Sequence, residues 1–343
     1  MKCINRTLSL LIMVSLLICT LCACQNVGYD YPYERNMVSS AYMITDTSMN
    51  HETLDSFAKD LCVNANADVN KVATSLNATH ASGLFDLNNK EVLYATNQFE
   101  QMPPASVTKI LTALVALKYG DLNEEIHVSG NCKITESGAV LLGIQEGDIM
   151  TLDQALNVLL LYSANDVALA IAEHVGGTQE KFIEMMNEEA LRLGATNSHF
   201  MNPHGLTQDE HYTTIYDLYL IFNEVIQYER FREIIQQTNY TTVYYDSQRN
   251  PKEVELRTTN QYLAENVTAP ENITVLGGKT GTTNAARTCL ILYAKDSAGN
   301  PYISVILRAE TRDDLYADMK EYYSVNVLLN EIDDMILVEN PKI

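Results

Sequence analysis

The sequence of 343 residues is 46% hydrophobic and 20% charged, a balance that supports a large buried core and excludes wholesale disorder. Its formal net charge at pH 7 is -21, with no block rich in Lys and Arg, so we exclude nucleic acid as a partner. Anionic lipid headgroups would also repel such a surface, so attachment to a membrane would require an apolar or covalent anchor.

The N-terminus has the pattern of a secretory leader. Two basic residues near the start precede an apolar run over residues 8–21, which is shorter than a comfortable membrane span. The run ends in the letters LCAC, which resemble the bacterial lipobox, in which a small residue precedes the cysteine that becomes lipidated. We therefore expect a lipoprotein-type signal peptide over residues 1–23 and lipidation of Cys24, with an ordinary cleaved signal as the alternative.

The cysteines indicate neither disulfides nor metal. Four of the seven occur no later than Cys24, and the other three, Cys62, Cys132 and Cys289, are widely and irregularly spaced. No Cys-x-x-Cys pair remains after cleavage of the leader and no paired-histidine motif is present, so the sequence predicts neither a metal site nor a cofactor. We interpret these three cysteines as buried and inert.

Composition divides the rest of the chain into three parts. Residues 24–76 are largely polar without a sustained period, so we interpret them as a tether with one helix over 52–62. The catalytic domain is expected over residues 77–330 and a C-terminal tail over residues 331–343.

Within this domain, periodicity predicts strands at both ends and helices between them. A hairpin is expected from residues 81–87 and 92–95. Helical spacing then predicts helices at 106–117, 152–162, 167–175, 179–193 and 214–227. Short β-rich runs follow at 273–276, 289–294 and 302–307, before a last helix at 313–329. This order predicts an α+β domain with one antiparallel sheet built from both ends of the chain.

Ser106 and Lys109 stand three residues apart at the start of a predicted buried helix. A serine is a weak nucleophile until a base removes its proton, and a lysine one turn away can do so if burial and nearby charge lower its pKa. The helix N-terminus would also favour an oxyanion at that serine. The same spacing recurs at Ser56 and Lys59 in the polar tether, where we interpret it as a solvated turn.

A Ser-x-Asn triplet, Ser163 to Asn165, directly follows the strongly apolar helix at 152–162. Its hydroxyl and amide would project from a packed element into a cleft. A second such triplet, Ser129 to Asn131, stands in what reads as an edge strand, and we interpret it as coincidental.

Lys279, Thr280 and Gly281 follow the strand predicted at 273–276. The glycine would let a ligand lie close along the strand edge, the lysine supplies positive potential, and the threonine supplies a hydroxyl for an anionic substrate. On its own, the tripeptide would also suit a basic turn after a strand.

These three patterns, in this order, are those of penicillin-binding proteins and class A β-lactamases. The surrounding sequence resembles the serine D-alanyl-D-alanine carboxypeptidases of the low-molecular-mass penicillin-binding protein family, over roughly residues 77–329. The segments that carry the resemblance are residues 104–110, 160–166, 202–206 and 278–283. The resemblance implies a β-lactamase/transpeptidase-like α+β fold, with an antiparallel sheet flanked by helices and a helical subdomain.

The resemblance also implies a reaction. Ser106 would attack the carbonyl between the two terminal D-alanines of a peptidoglycan stem peptide, with Lys109 as the base. Water would then release the acyl-enzyme, without metal or cofactor. β-Lactam antibiotics would act as inhibitors, because their strained amide mimics the scissile bond.

By the same resemblance, further residues bind the substrate. Ser163 would relay protons and Asn165 would hold the substrate amide. The terminal carboxylate would meet Lys279 and Thr280 beside Gly281. The backbone amides of Ser106 and Thr282 would form the oxyanion hole.

The chain departs from the family pattern at two positions. Arg287 stands where the family commonly has glycine, and Leu315 stands where a second arginine would follow Arg312. Larger family members continue into a β-rich domain and a C-terminal amphipathic anchor, whose place we expect the N-terminal lipid to take. The protein would then be extracytoplasmic and anchored to the outer face of the cell membrane, or secreted if it is not lipidated. We interpret His204 as loop structure, because Lys109 fills the role of base.

Three alternative functions share parts of this pattern. A class A β-lactamase would need an added glutamate for deacylation, and residues 197–202 contain none. A non-catalytic lipoprotein that binds wall peptides or senses β-lactams stays open, as does endopeptidase or transpeptidase use of the same acyl-enzyme.

Overall fold

The computed structural model describes residues 58–70 and 81–327. The predicted signal peptide with Cys24, most of the predicted tether and the predicted tail lie outside the described residues. Within the part that is described, no helix is long and apolar enough to cross a membrane.

The described strands form two antiparallel sheets. They are β1 Val69–Asn70, β2 Ala81–Asp86, β3 Glu91–Thr96, β4 Glu125–His127, β5 Ile149–Thr151, β6 Asn239–Tyr245, β7 Pro251–Arg257, β8 Thr274–Thr283, β9 Arg287–Lys295 and β10 Pro301–Ala309. The larger sheet has six strands in the order β1-β3-β2-β10-β9-β8. Its strands come from both ends of the domain, as the sequence predicts, and β8 forms one of its edges.

The second sheet, in the order β4-β5-β6-β7, was not predicted. Its hairpin of β6 and β7 is mostly exposed, and in each strand only the sixth residue, Tyr244 or Leu256, is buried. Burial alternates along both strands, but the polar residues Thr242 and Lys252 occupy inner positions, so the apolar alternation in the sequence is too short to identify a strand.

The helices between the strands agree with the predicted ones except for one addition. They are α1 Lys109–Tyr119, α2 Leu152–Asn157, α3 Asn165–Gly176, α4 Gln179–Arg192, α5 Ile215–Val225, α6 Glu229–Ile235 and α7 Arg312–Asn326. The short α6 was missed. A 3-10 turn, Ala105–Thr108, precedes α1, and a π-helical turn, Val158–Tyr162, continues α2.

Threonine caps set where several helices begin. The side chains of Thr151, Thr178, Thr214 and Thr311 each accept a hydrogen bond from the backbone N–H three residues later. Each cap satisfies one of the N–H groups that a helix N-terminus leaves unpaired. Local sequence therefore fixes the starts of α2, α4, α5 and α7.

The larger sheet separates two apolar layers. Along β2, Leu84 and Phe85 point to opposite faces, as successive strand residues must. The Phe85 face packs against α5, on which α1 packs in turn, whereas the Leu84 face is covered by α7. The result is the α+β architecture that the order of elements predicts.

Residues 58–70 fall within the predicted tether, yet they pack against the domain. Cys62 is fully buried; its N–H donates to the Tyr219 hydroxyl (2.8 Å), and its carbonyl accepts from the Tyr216 hydroxyl (3.0 Å). The described part of the helix predicted over 52–62 is a turn. The domain thus begins before residue 77. The predicted boundary was too late because one buried cysteine and a two-residue strand leave no periodic signal in the sequence.

Candidate active site

Ser106 and Lys109 meet at the junction of the 3-10 turn and α1. The Lys109 Nζ lies 3.0 Å from the Ser106 Oγ. The lysine side chain is fully buried on a helix whose residues from Lys109 to Ala116 are all buried. A general base is therefore within hydrogen-bond reach of a serine hydroxyl that lines a cavity.

Lys109 has two further partners that lie far away in the sequence. Its ammonium group donates to the Asn165 Oδ1 (2.7 Å) and, through a short contact, to the backbone carbonyl of His204. Burial, together with the positive charge of Lys279, holds the pKa of Lys109 well below its usual value, and the Asp166 carboxylate offsets part of this effect. A neutral lysine able to take a proton is thus accessible at a lower pH than for a lysine in water.

Ser163 follows the π-helical turn and has a left-handed backbone conformation, with φ of 71°. Few residues other than glycine adopt this conformation, and it often accompanies functional sites. Here it ends one helical segment and lets α3 begin two residues later. The Ser163 Oγ accepts a hydrogen bond from the Lys279 Nζ (3.0 Å), so the triplet and the edge strand β8 are joined directly.

Lys279, Thr280 and Gly281 lie inside β8, which continues to Thr283 rather than ending at residue 276 as predicted. Lys279 is buried, and burial lowers its pKa to about 7. Its ammonium group also donates to the Thr280 carbonyl (2.9 Å). The Thr280 hydroxyl is oriented by a 2.7 Å hydrogen bond to the Thr259 hydroxyl.

Gly281 allows β8 to lie directly against the turn that carries the nucleophile. A Cβ atom at this position would stand 2.9 Å from the Ser106 N and 3.1 Å from the Ala105 Cβ. The first of these contacts is with backbone, which cannot rotate away as a flexible side chain can. Only glycine therefore fits here without displacing the strand or the turn.

A cavity of about 390 Å³ opens between these elements. Its lining combines the hydroxyls of the three motifs with residues from two loops, from β9 and from α7. These residues are Ser106, Val140, Ser163, Thr258, Thr259, Gln261, Thr280, Gly281, Thr282, Thr288, Cys289, Arg312, Leu315 and Tyr316.

Sequence reasoning missed three contributors to the site. The His204 carbonyl is a backbone group, so no residue type signals it. Thr259 and Val140 lie in loops without periodicity and reach the cavity only through the fold. Asp166, in contrast, follows the Ser-x-Asn triplet directly; its buried carboxylate accepts from the N–H groups of residues 142–144.

The described residues of the second Ser-x-Asn triplet and of the second Ser-x-x-Lys pair do not line the cavity. The Ser129 Oγ donates to a Glu173 carboxylate, and Asn131 is exposed in a turn after the edge strand β4. Lys59 is exposed, whereas Ser56 is outside the described residues.

The buried histidines have structural hydrogen bonds. His211 bonds the Thr108 hydroxyl through its Nε2 (2.9 Å) and accepts the Met201 N–H at its Nδ1 (3.1 Å). Burial lowers the pKa of His204 to about 3 and that of His211 to about 4. Both are therefore neutral at pH 7.

Arg287 and Leu315, the two residues that differ from the family pattern, each fit their surroundings. Arg287 adopts a left-handed conformation, with φ of 53°, and forms an ion pair with Glu310. Leu315 is buried in the wall of the cavity, where Arg312 is also found.

Cys62, Cys132 and Cys289 are free and buried, as the sequence predicts, and burial raises the pKa of each thiol. Within residues 58–70 and 81–327, no group of three or more His, Cys, Asp or Glu side chains is arranged to hold a metal ion.

Residues 66–311 match the family model of D-alanyl-D-alanine carboxypeptidases. The chain is 34% identical over 235 residues to the D-alanyl-D-alanine carboxypeptidase DacF of Bacillus subtilis, covering 66% of this chain and 57% of DacF. It is 30% identical over 239 residues to DacC of Escherichia coli, covering 66% and 56%. The chain thus spans a little over half the length of these two curated relatives.

The fold is also that of solved DD-peptidase structures. The Streptomyces K15 DD-transpeptidase superimposes with a TM-score of 0.67 at 23% identity, covering 74% of this chain and 98% of that one. An evolved penicillin-binding protein homologue from Mycobacterium tuberculosis gives 0.65 at 27% identity, covering 76% and 97%. The transpeptidase-like fold expected from the sequence is confirmed.

Proposed function

The chain belongs to the D-alanyl-D-alanine carboxypeptidase family, and from that membership we propose that it removes the terminal D-alanine from peptidoglycan stem peptides through an acyl-enzyme at Ser106. One observation carries the proposal. A fully buried lysine, with its pKa held low, stands 3.0 Å from a serine hydroxyl at the wall of a cavity.

Acylation begins with proton transfer. Neutral Lys109 takes the Ser106 proton as the Oγ attacks the carbonyl between the two D-alanines, forming a tetrahedral oxyanion. The backbone N–H groups of Ser106 and Thr282 stabilise that oxyanion. This assignment is supported by the close approach of β8 to the Ser106 turn at Gly281.

Collapse of the tetrahedral intermediate expels the terminal D-alanine. Its amine takes up the proton that Lys109 removed from Ser106, passed on through the Ser163 hydroxyl, so Lys109 is neutral again. The hydrogen bond between Ser163 and Lys279 supports this relay. Asn165 orients the substrate amide while also accepting from Lys109. Water then attacks the ester carbon, Lys109 accepts its proton, and the Ser106 hydroxyl is restored.

The terminal carboxylate binds at the β8 edge. Protonated Lys279 supplies a positive charge near the cavity and the Thr280 hydroxyl, oriented by Thr259, supplies a directed partner. β-Lactam antibiotics acylate the same serine, since their own carboxylate suits this edge.

The test measures two things, a covalent adduct with penicillin and the release of D-alanine. The soluble domain from Gln25 onward is incubated with benzylpenicillin and examined by intact mass, beside Ser106→Ala, while D-alanine release is measured on a stem pentapeptide. We expect a covalent adduct in the wild type that Ser106→Ala lacks, together with D-alanine release. An adduct without release would favour the penicillin-sensing or wall-peptide-binding alternative, and no adduct would refute Ser106 as an activated nucleophile. Cleavage of cross-linked dimers in place of pentapeptides would favour an endopeptidase.

We further propose that a lipid on Cys24 holds the protein at the outer face of the cell membrane. The apolar run before the LCAC sequence and the acidic composition, which disfavours electrostatic attachment, support this anchor. Metabolic labelling with a fatty-acid analogue in a bacterial host should mark the wild type and not Cys24→Ala. An unlabelled protein recovered in the medium would instead indicate an ordinary cleaved signal.

A further inference from the structure

An apolar ledge stands at the mouth of the cavity. It consists of Val140 and Leu141, two neighbouring residues whose side chains are 41% and 37% exposed. Only Val140 lines the cavity. Val140 thus gives a wall rich in hydroxyls one exposed aliphatic surface, and an apolar ligand group that covered it would gain free energy.

The ledge is fixed to the catalytic residues by hydrogen bonds. The Val140 carbonyl accepts from the Asn165 N–H (2.8 Å). Directly after the ledge, the Asp166 carboxylate accepts from the N–H groups of Leu142 (3.0 Å) and Gly143 (2.8 Å). Because Asn165 also holds Lys109, the position of Val140 is set relative to the nucleophile.

The orientation of substrate in the proposed reaction puts the ledge on the acyl side of the scissile bond. In the proposed reaction Thr280, at the strand edge, takes the terminal carboxylate of the leaving D-alanine. Asn165 holds the amide that precedes the scissile bond, and Val140 is bonded to the backbone of Asn165. A substrate oriented in this way brings the residue before the D-alanyl-D-alanine pair to Val140, the member of the ledge that lines the cavity.

We propose that Val140 is a specificity-determining residue that contacts the aliphatic side chain of the residue preceding D-alanyl-D-alanine. This inference rests on the proposed carboxypeptidase function and deepens it. The neutral methyl groups of Val140 favour the methylene chain of a long side chain and give nothing to a peptide with glycine at that position.

The experiment compares Val140→Thr with Leu141→Asn. The first replaces one methyl group by a hydroxyl of the same shape, and the second makes a similar change on the neighbouring, comparably exposed residue outside the cavity. Each variant and the wild type are assayed for kcat/KM on two tripeptides ending in D-Ala-D-Ala, one preceded by acetylated lysine and one by acetylglycine. Acylation by 6-aminopenicillanic acid, which lacks an acyl side chain, reports the integrity of Ser106 and Lys109.

Because Val140 is only partly covered, we expect Val140→Thr to lower kcat/KM for the lysyl peptide about three- to tenfold, less than a methyl group contributes in a closed pocket. The glycyl peptide and the acylation rate should be unchanged, and Leu141→Asn should match the wild type. Equal losses on both peptides, or no loss on either, would overturn the inference. A wild type that is acylated but releases D-alanine from neither peptide would overturn the proposed function, and this inference with it.

Discussion

The two walls of the active site are built on different principles. The helical wall, from α1 and the start of α3, presents side chains that hold one another: Lys109 contacts both Ser106 and Asn165. The strand wall, β8, depends on its backbone and on short side chains, because Gly281 brings it against the Ser106 turn and Thr280 adds a single hydroxyl.

This difference indicates a division of labour. The helical wall has the buried, mutually bonded groups that proton transfer requires, whereas the strand wall has the close fit and the positive charge that position an anionic substrate. The two walls meet at the hydrogen bond between Lys279 and Ser163. Substitutions in the helical wall should therefore impair chemistry, and those in the strand wall should impair fit and binding.

The largest expected effect is in the helical wall. Lys109→Met keeps an apolar chain of similar length but removes the base, so the rate of acylation by benzylpenicillin should fall by about 10²- to 10⁴-fold, the range of general base catalysis. Intact mass followed over time measures this rate. Lys59→Met, in the duplicate motif, is the control and should leave the rate unchanged; acylation of Lys109→Met at the wild-type rate would refute the division.

A smaller effect is expected where the strand wall touches the helical wall. In Gly281→Ala the new Cβ meets the Ser106 backbone, so β8 must shift and the acylation rate should fall by about tenfold to a hundredfold through loss of oxyanion stabilisation. Gly130→Ala is the control, since its Cβ meets only the end of the flexible Glu146 side chain. Circular dichroism should show both variants folded. A Gly281→Ala enzyme with full activity would show that the close approach is dispensable.

The smallest effect on activity is expected from a change of pH. Lys279 has a pKa of about 7, so its positive charge is lost as pH rises through that value, and kcat/KM for the peptide should fall above pH 7 by about tenfold per unit. The depressed pKa of Lys109 moves the rising limb, where the base becomes neutral, to a lower pH than a lysine in water would give. Lys279→Arg stays charged and should abolish the falling limb; a limb that persists would assign it to another group.

The lowered pKa of Lys279 also affects the free energy of unfolding. The pKa of Lys279 lies below its ordinary value of 10.5, so the unfolded chain binds more protons between these two values. Its contribution to the free energy of unfolding therefore rises with pH across that window.

Much of the fold was accessible from the sequence because its signals are local. Apolar spacing predicted α2, α4 and α5 to within a few residues, apart from the π-helical extension of α2, and the threonine caps seen in the structure fix their first residues. The hairpin of β6 and β7 was not predicted, because its apolar alternation is short and polar residues occupy part of its inner face. Residues 58–70 join the domain through the contacts of Cys62 with Tyr216 and Tyr219, more than 150 residues away, and no local pattern signals them.

The sequence by itself determined the α+β order of elements and the serine, lysine, asparagine and threonine groups of the three motifs. Tertiary structure alone decided their chemistry, because a pKa depends on burial and on neighbours that the chain brings from afar. Lys109 meets Asn165 across 56 residues and the His204 carbonyl across 95, and it is fully buried, whereas Lys59 is exposed. The spacing of letters is identical in the two lysine motifs, but only the fold removes water from one of them.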